Sequence, residues 1–89
     1  MNKEQAIMNG MQLVTNLDNP MIFFTLNGER VALDLTNNML HPVDTDGMVY
    51  AWESESEFEV EQDYSNETTR YIFDEFTIHS SNGDFYVTC

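Results

Sequence analysis

The sequence predicts an α+β fold, in which an N-terminal helix packs on an antiparallel meander sheet of about five or six strands, in one domain spanning residues 1–89. Three observations predict it. Apolar residues near the start recur at helical spacing. An Asn-Gly pair joins two apolar runs in the first half. The second half alternates apolar and polar residues between turn signals.

The helix is read from Ile7, Met11 and Val14, with Met8 and Leu17 beside them. Asn2 can cap it and Glu4 occupies the favoured first turn. Gly10 counts against it by about 1 kcal/mol relative to Ala. Asp18-Asn19-Pro20 ends it.

The central hairpin is "MIFFTL-NG-ERVALDL". Asn-Gly accepts positive φ at both central positions of a two-residue type I′ turn. In the return strand Val31, Leu33 and Leu35 alternate with Arg30, Ala32 and Asp34, which assigns one face to a core and the other to solvent. "TNNMLHPVDTDG" reads as a loop, with Pro42 and Gly47 as breakers.

Met48 to Trp52 reads as a strand, and so does Phe58 to Tyr64. Ser54 and Ser56 leave open whether one strand runs from Met48 to Tyr64 or a turn divides it. Ser65-Asn66-Glu67 is a turn. Thr68 to His79 reads as a strand bent near Asp74-Glu75. Ser81-Asn82-Gly83 leads into a last strand, Asp84 to Thr88. No internal repeat stands out.

The charge balance is extreme. Sixteen acidic residues face three basic ones, for a net charge of −13. Residues 44–89 hold twelve of the acids and one base, Arg70. Such a field opposes binding to nucleic acid or an anionic membrane through a basic patch, and it favours a cationic partner. Hydrophobic residues at 42% and aromatics at 12% suffice for a core. With a single cysteine, Cys89, no internal disulfide can form. The first residues lack the apolar segment of a signal peptide, and no apolar run approaches a membrane span. The expectation is a cytoplasmic protein, in the host cytoplasm if phage-encoded.

Catalytic signatures are missing. There is no phosphate loop, no nucleophile elbow and no zinc-protease motif. His41 and His79 are isolated in sequence. "DTDG" at Asp44–Gly47 departs from a calcium loop because its Gly comes too early. No enzyme activity, cofactor or metal is expected.

The outstanding feature is "WESESEFEVEQDY", Trp52 to Tyr64. Every second residue from Glu53 is acidic: Glu53, Glu55, Glu57, Glu59, Glu61 and Asp63. On a strand, residues two apart share a face about 6.7 Å apart. Neighbouring phosphates of a DNA strand lie roughly 6–7 Å apart along the helical path, starting from the rise of 3.4 Å per nucleotide. The row is therefore a ruler at nearly the phosphate step. Acidic residues also protect a sheet edge or keep a protein soluble. One or two charges serve that purpose, however, and Glu is disfavoured in strands.

In charge character across residues 44–89, "ESESEFEVEQD" resembles the small acidic, often phage-encoded proteins that mimic nucleic acid to block a nuclease. These include anti-restriction and anti-CRISPR inhibitors and the uracil-DNA glycosylase inhibitors. The resemblance implies a basic nucleic-acid-binding partner, such as a nuclease or a CRISPR or restriction effector, with no direct binding of nucleic acid. The ladder residues would bind that partner, with Glu67, Asp74, Glu75 and Asp84 as neighbours. Trp52 and Tyr64, with Tyr50, would serve as aromatic anchors. Two alternatives stand beside it: an immunity or antitoxin-like protein directed at a nuclease toxin, and an interaction module that binds through apolar surface. A homodimer through a strand edge is compatible with all three.

Overall fold

A computed structural model describes residues 10–16, 18–55 and 58–88. All regular structure in them is β, in two four-stranded antiparallel sheets. The α+β expectation is thereby overturned, since the described residues contain no helix. Residues 1–9 and Leu17, on which much of the helical spacing rested, lie outside the described residues. Of its other members, Val14 lies in a strand paired with its neighbour along the chain, and buried Met11 immediately precedes that strand. No helix among the described residues is long and apolar enough to cross a membrane.

The described residues divide into two compact units, one within Gly10–Ser56 and the other within Glu57–Cys89. The first holds β1 (Gln12–Val14), β2 (Met21–Leu26), β3 (Glu29–Asp34) and β4 (Met39–Pro42), paired in that order. The second holds β5 (Glu59–Asp63), β6 (Thr68–Ile72), β7 (Thr77–Ser81) and β8 (Asp84–Thr88), again neighbour to neighbour. Within each sheet every strand pairs with the next along the chain, joined by short connections.

In the first unit the Asn27-Gly28 hairpin forms as its sequence dictates. Both residues have positive φ, 52° and 83°, and Leu26 pairs with Glu29 across the turn. One face of the sheet is apolar. Ile22, Leu33 and Leu40 form a cross-strand row that is fully buried, and Phe24 and Val31 form the next. The other face carries Phe23, Ala32 and His41 in one row and Met21, Asp34 and Met39 in another.

That second face is not solvent, as the alternation in β3 suggested. Ala32, Asp34 and His41 are at most 3% exposed. The cover is chain from the same unit: Asn19 reaches Asp34, and Glu53 reaches His41. Two further expectations change here. The loop read over "TNNMLHPVDTDG" contains β4, and the strand read over Met48–Trp52 is an irregular segment. That segment forms two isolated bridges, Val49 with Val43 just after β4 and Glu55 with Leu40 in β4, and turns at residues 51–52 between them.

In the second unit, Tyr71, Ile78 and Val87 form a buried cross-strand row, with Phe85 buried beside it. Phe73 continues the core and stacks on Phe58 and Phe76, with ring centroids 5.1 and 5.0 Å apart. The expected bend at Asp74-Glu75 is a full reversal. The Phe73 N–H donates to the Phe76 carbonyl, and β6 then pairs antiparallel with β7. Asn82 and Gly83, at φ 49° and 79°, close a second Asn-Gly hairpin into β8.

Candidate functional site

Position by position, the acidic row divides. Glu53 and Glu55 belong to the first unit, and Glu57 lies outside the described residues. Only Glu59, Glu61 and Asp63 stand on one strand, β5, where alternation puts all three on one face. A single ruler of six carboxylates does not form. The turn-like segment at residues 51–54 interrupts strand geometry before Glu55.

Among the described residues β5 is an edge strand, paired only with β6. Opposite Glu59, Glu61 and Asp63 on the same face sit Ile72, Arg70 and Thr68. The Arg70 guanidinium lies 3.6 Å from the Glu61 carboxylate, and both side chains are more than 40% exposed. Such a pair contributes at most about 1 kcal/mol and leaves both groups hydrated. Glu59 is exposed.

Asp63 has a different duty. Its Oδ1 accepts the N–H groups of Ser65 and Asn66, and its Oδ2 accepts Asn66 Nδ2. The hydrogen bond from Asn66 is the main cause that lowers its pKa, and the backbone bonds and Arg70 act in the same direction. Asp63 is thus a turn residue that stays ionised.

Asp34 repeats that arrangement. Its Oδ1 accepts the N–H groups of Thr36 and Asn37, and its Oδ2 accepts Asn37 Nδ2 and Asn19 Nδ2. Burial raises its pKa, but the bonds from Asn19, Asn37 and Thr36 together outweigh it, and the net shift is downward. Each turn spans four residues and ends on a residue with positive φ, Asn38 at 58° and Glu67 at 53°. The shared signal is Asp-x-(Ser/Thr)-Asn, at residues 34–37 and 63–66. It is legible in the sequence, but the reading by elements passed over it.

Asp44 is also structural. Its Oδ1 accepts the N–H groups of Asp46 and Met48, and the Tyr50 hydroxyl donates to Oδ2 at 3.4 Å. The charge of Asp44, followed by burial, raises the Tyr50 pKa, so the phenol stays protonated. No group of three metal-ligating side chains occurs among the described residues.

The other predicted site residues are scattered. Glu67 sits in the turn after Asp63, and Asp74 and Glu75 are exposed in the turn between β6 and β7. Trp52 and Tyr64 are 75% and 83% exposed, so neither is a core residue. Trp52 meets Tyr50 edge to face, with centroids 5.0 Å apart.

Two features went unread in the sequence. On the solvent face of the second sheet, Glu61, Arg70, His79 and Tyr86 form one cross-strand row. The His79 and Tyr86 rings stack at 4.3 Å with a 2° angle between planes, and His79 Nε2 bonds Thr88 Oγ1 at 2.8 Å. Burial, then Arg70, lowers the His79 pKa. The register that unites these residues depends on three strand pairings, which no local pattern announces.

The second feature is an open pocket of ≈ 530 Å³ on the outer face of the first sheet. Met21, Phe23, Met39, Met48 and Val49 give it apolar walls, and Asp34 and His41 also line it. Comparison with protein-family models, with curated proteins and with solved structures finds no match to this chain.

Proposed function

We infer that this chain is a non-catalytic acidic inhibitor that occupies the basic nucleic-acid groove of a nuclease or another DNA- or RNA-binding protein, in the manner of anti-CRISPR and anti-restriction proteins. The observation that carries this reading is the face of β5. An edge strand presents Glu59, Glu61 and Asp63 at alternate positions, about one phosphate step apart. Cations in the described residues are few. Arg30 donates to the Gly10 carbonyl and to Thr25, and Arg70 makes a solvent-exposed pair with Glu61 that a stronger cationic partner can displace. Exposed Asp74, Glu75 and Asp84 add charge within the same unit.

The row of three is shorter than the full ladder, and Asp63 cannot be altered without disturbing its turn. The informative variant is therefore Glu59→Lys with Glu61→Lys, on exposed side chains. Its circular dichroism and melting should stay close to the parent. Its capture of basic nucleic-acid-binding proteins should be lost. Equal capture by parent and variant would remove β5 from the binding surface.

A second reading has its own support. Met48, Trp52 and Met39 are 65%, 75% and 40% exposed, and two of them line an apolar pocket. An interaction module that binds through apolar surface would use that region.

A further inference from the structure

We propose that the pocket on the first sheet is a docking site for one apolar side chain of a partner protein segment, flanked in that segment by Lys or Arg. The proposal rests on the inferred function only for the partner's positive charge. The pocket belongs to the Gly10–Ser56 unit and β5 to the other, so the two surfaces can be tested separately.

Three observations fix the occupant. First, size and lining. A pocket of ≈ 530 Å³ walled by Met21, Phe23, Met39, Met48 and Val49 takes a Phe- or Leu-sized group with room to adapt. Met side chains re-pack around varied apolar shapes. Second, a wall held in place. His41 Nδ1 donates to the Glu53 carbonyl at 2.6 Å, so the segment that carries Met48, Val49 and Ala51 is tied to β4 and the apolar walls stand ready for an incoming side chain.

Third, charge. Among the described residues no Lys or Arg lines the pocket, while Asp18 does, and Asp44, Asp46 and Glu53 lie on the loop segments around Gly47–Ala51. A second copy of this acidic chain or an anionic ligand would be repelled, and a cationic segment would be drawn in. Trp52, exposed and one residue beyond the lining residue Ala51, offers an indole face to a Lys or Arg beside the anchor.

The test is a titration of the full chain, labelled at the methionine methyls, followed by NMR. Three probes are used: acetyl-Lys-Arg-Phe-Leu-Arg-Lys-amide, the same peptide with Gly-Ser in place of Phe-Leu, and acetyl-Glu-Asp-Phe-Leu-Asp-Glu-amide. The first should shift the Met21, Met39 and Met48 methyls saturably, with a dissociation constant of about 1 mM or tighter. The other two should bind at least about fivefold more weakly, roughly 1 kcal/mol. Trp52→Ala, on an exposed side chain, should weaken the first peptide severalfold. Equal binding of the Phe-Leu and Gly-Ser peptides would overturn the proposal, because charge alone would then suffice. Absence of saturable shifts at these methyls would overturn it too, and would leave the inferred role of β5 standing.

Discussion

The Nδ1–H of His41 donates to the main-chain carbonyl of Glu53 across 2.6 Å. One side of that bond is a buried residue of β4, and the other is the point where the irregular segment returns to the sheet. The Tyr50 N–H bonds the Pro42 carbonyl before the interruption, and the Glu55 N–H bonds the Leu40 carbonyl after it. His41 lies between those two β4 residues and fills the gap in the ladder. The bond thus holds together the wall that carries Met48, Val49 and Ala51.

Replacing His41 with Ala removes a buried ring and leaves that carbonyl without its donor. Stability should fall by about 2–3 kcal/mol. Urea unfolding monitored through Trp52, the one tryptophan, measures it. An unchanged midpoint would mean that the segment is held by its backbone bonds alone.

Asp34 and Asp63 organise like turns in different settings, and their loss should differ accordingly. Asp34→Ala leaves the N–H groups of Thr36 and Asn37 and two Asn side chains without an acceptor, at a cost of about 2–3 kcal/mol. The donor residues Thr36, Asn37, Ser65 and Asn66 are all exposed, but Asp34 is buried and also holds half-buried Asn19, whereas Asp63 is only half-buried, so Asp63→Ala should cost less. Thermal unfolding of the two variants side by side gives the comparison. Equal losses would show that burial of the Asp34 turn adds nothing.

The legible parts of this fold are those whose signals are local. Asn27-Gly28 and Asn82-Gly83 specify their hairpins from two residues each, because few other residues accept positive φ at both positions. β5 and β8 were read within a residue of their observed ends, from alternation between turns. β1 and β4 were missed because three or four residues cannot establish a period. Their strand character comes from partners supplied by β2 and β3. Met11 and Val14 fit a helix spacing by coincidence, and pairing of Gln12–Val14 with β2 decides against it. For the site, the acidic row was legible as composition, but its continuity depended on residues 51–56. The serines there raised the question of a turn without answering it. The apolar pocket is hidden because its walls come from three separate segments, within residues 18–23, 34–41 and 47–51.

Acid should weaken the fold through His79. Its folded pKa is lowered below the ordinary 6.5, so the unfolded chain binds the extra proton first. The stability it contributes is complete above pH 6.5 and is lost as pH falls through that value toward the lower folded pKa. Asp34, also lowered, adds a second loss that begins near its ordinary 3.8. Relief of acidic self-repulsion acts in the opposite direction, so the test is a difference. His79→Gln should remove part of the fall that sets in below pH 6.5, measured by unfolding in urea at stepped pH. Parallel curves for parent and variant would show that the stacked ring is titrated without consequence.

Competition with nucleic acid measures the inferred function most directly. The chain, immobilised and exposed to cell lysate at low ionic strength, should retain basic nucleic-acid-binding proteins. Added duplex DNA or structured RNA should displace them, and so should salt near about 0.5 M, where surface attraction is well screened. Glu59→Lys with Glu61→Lys should retain none. Retention that survives both competitor and salt, and is equal for the variant, would contradict the account.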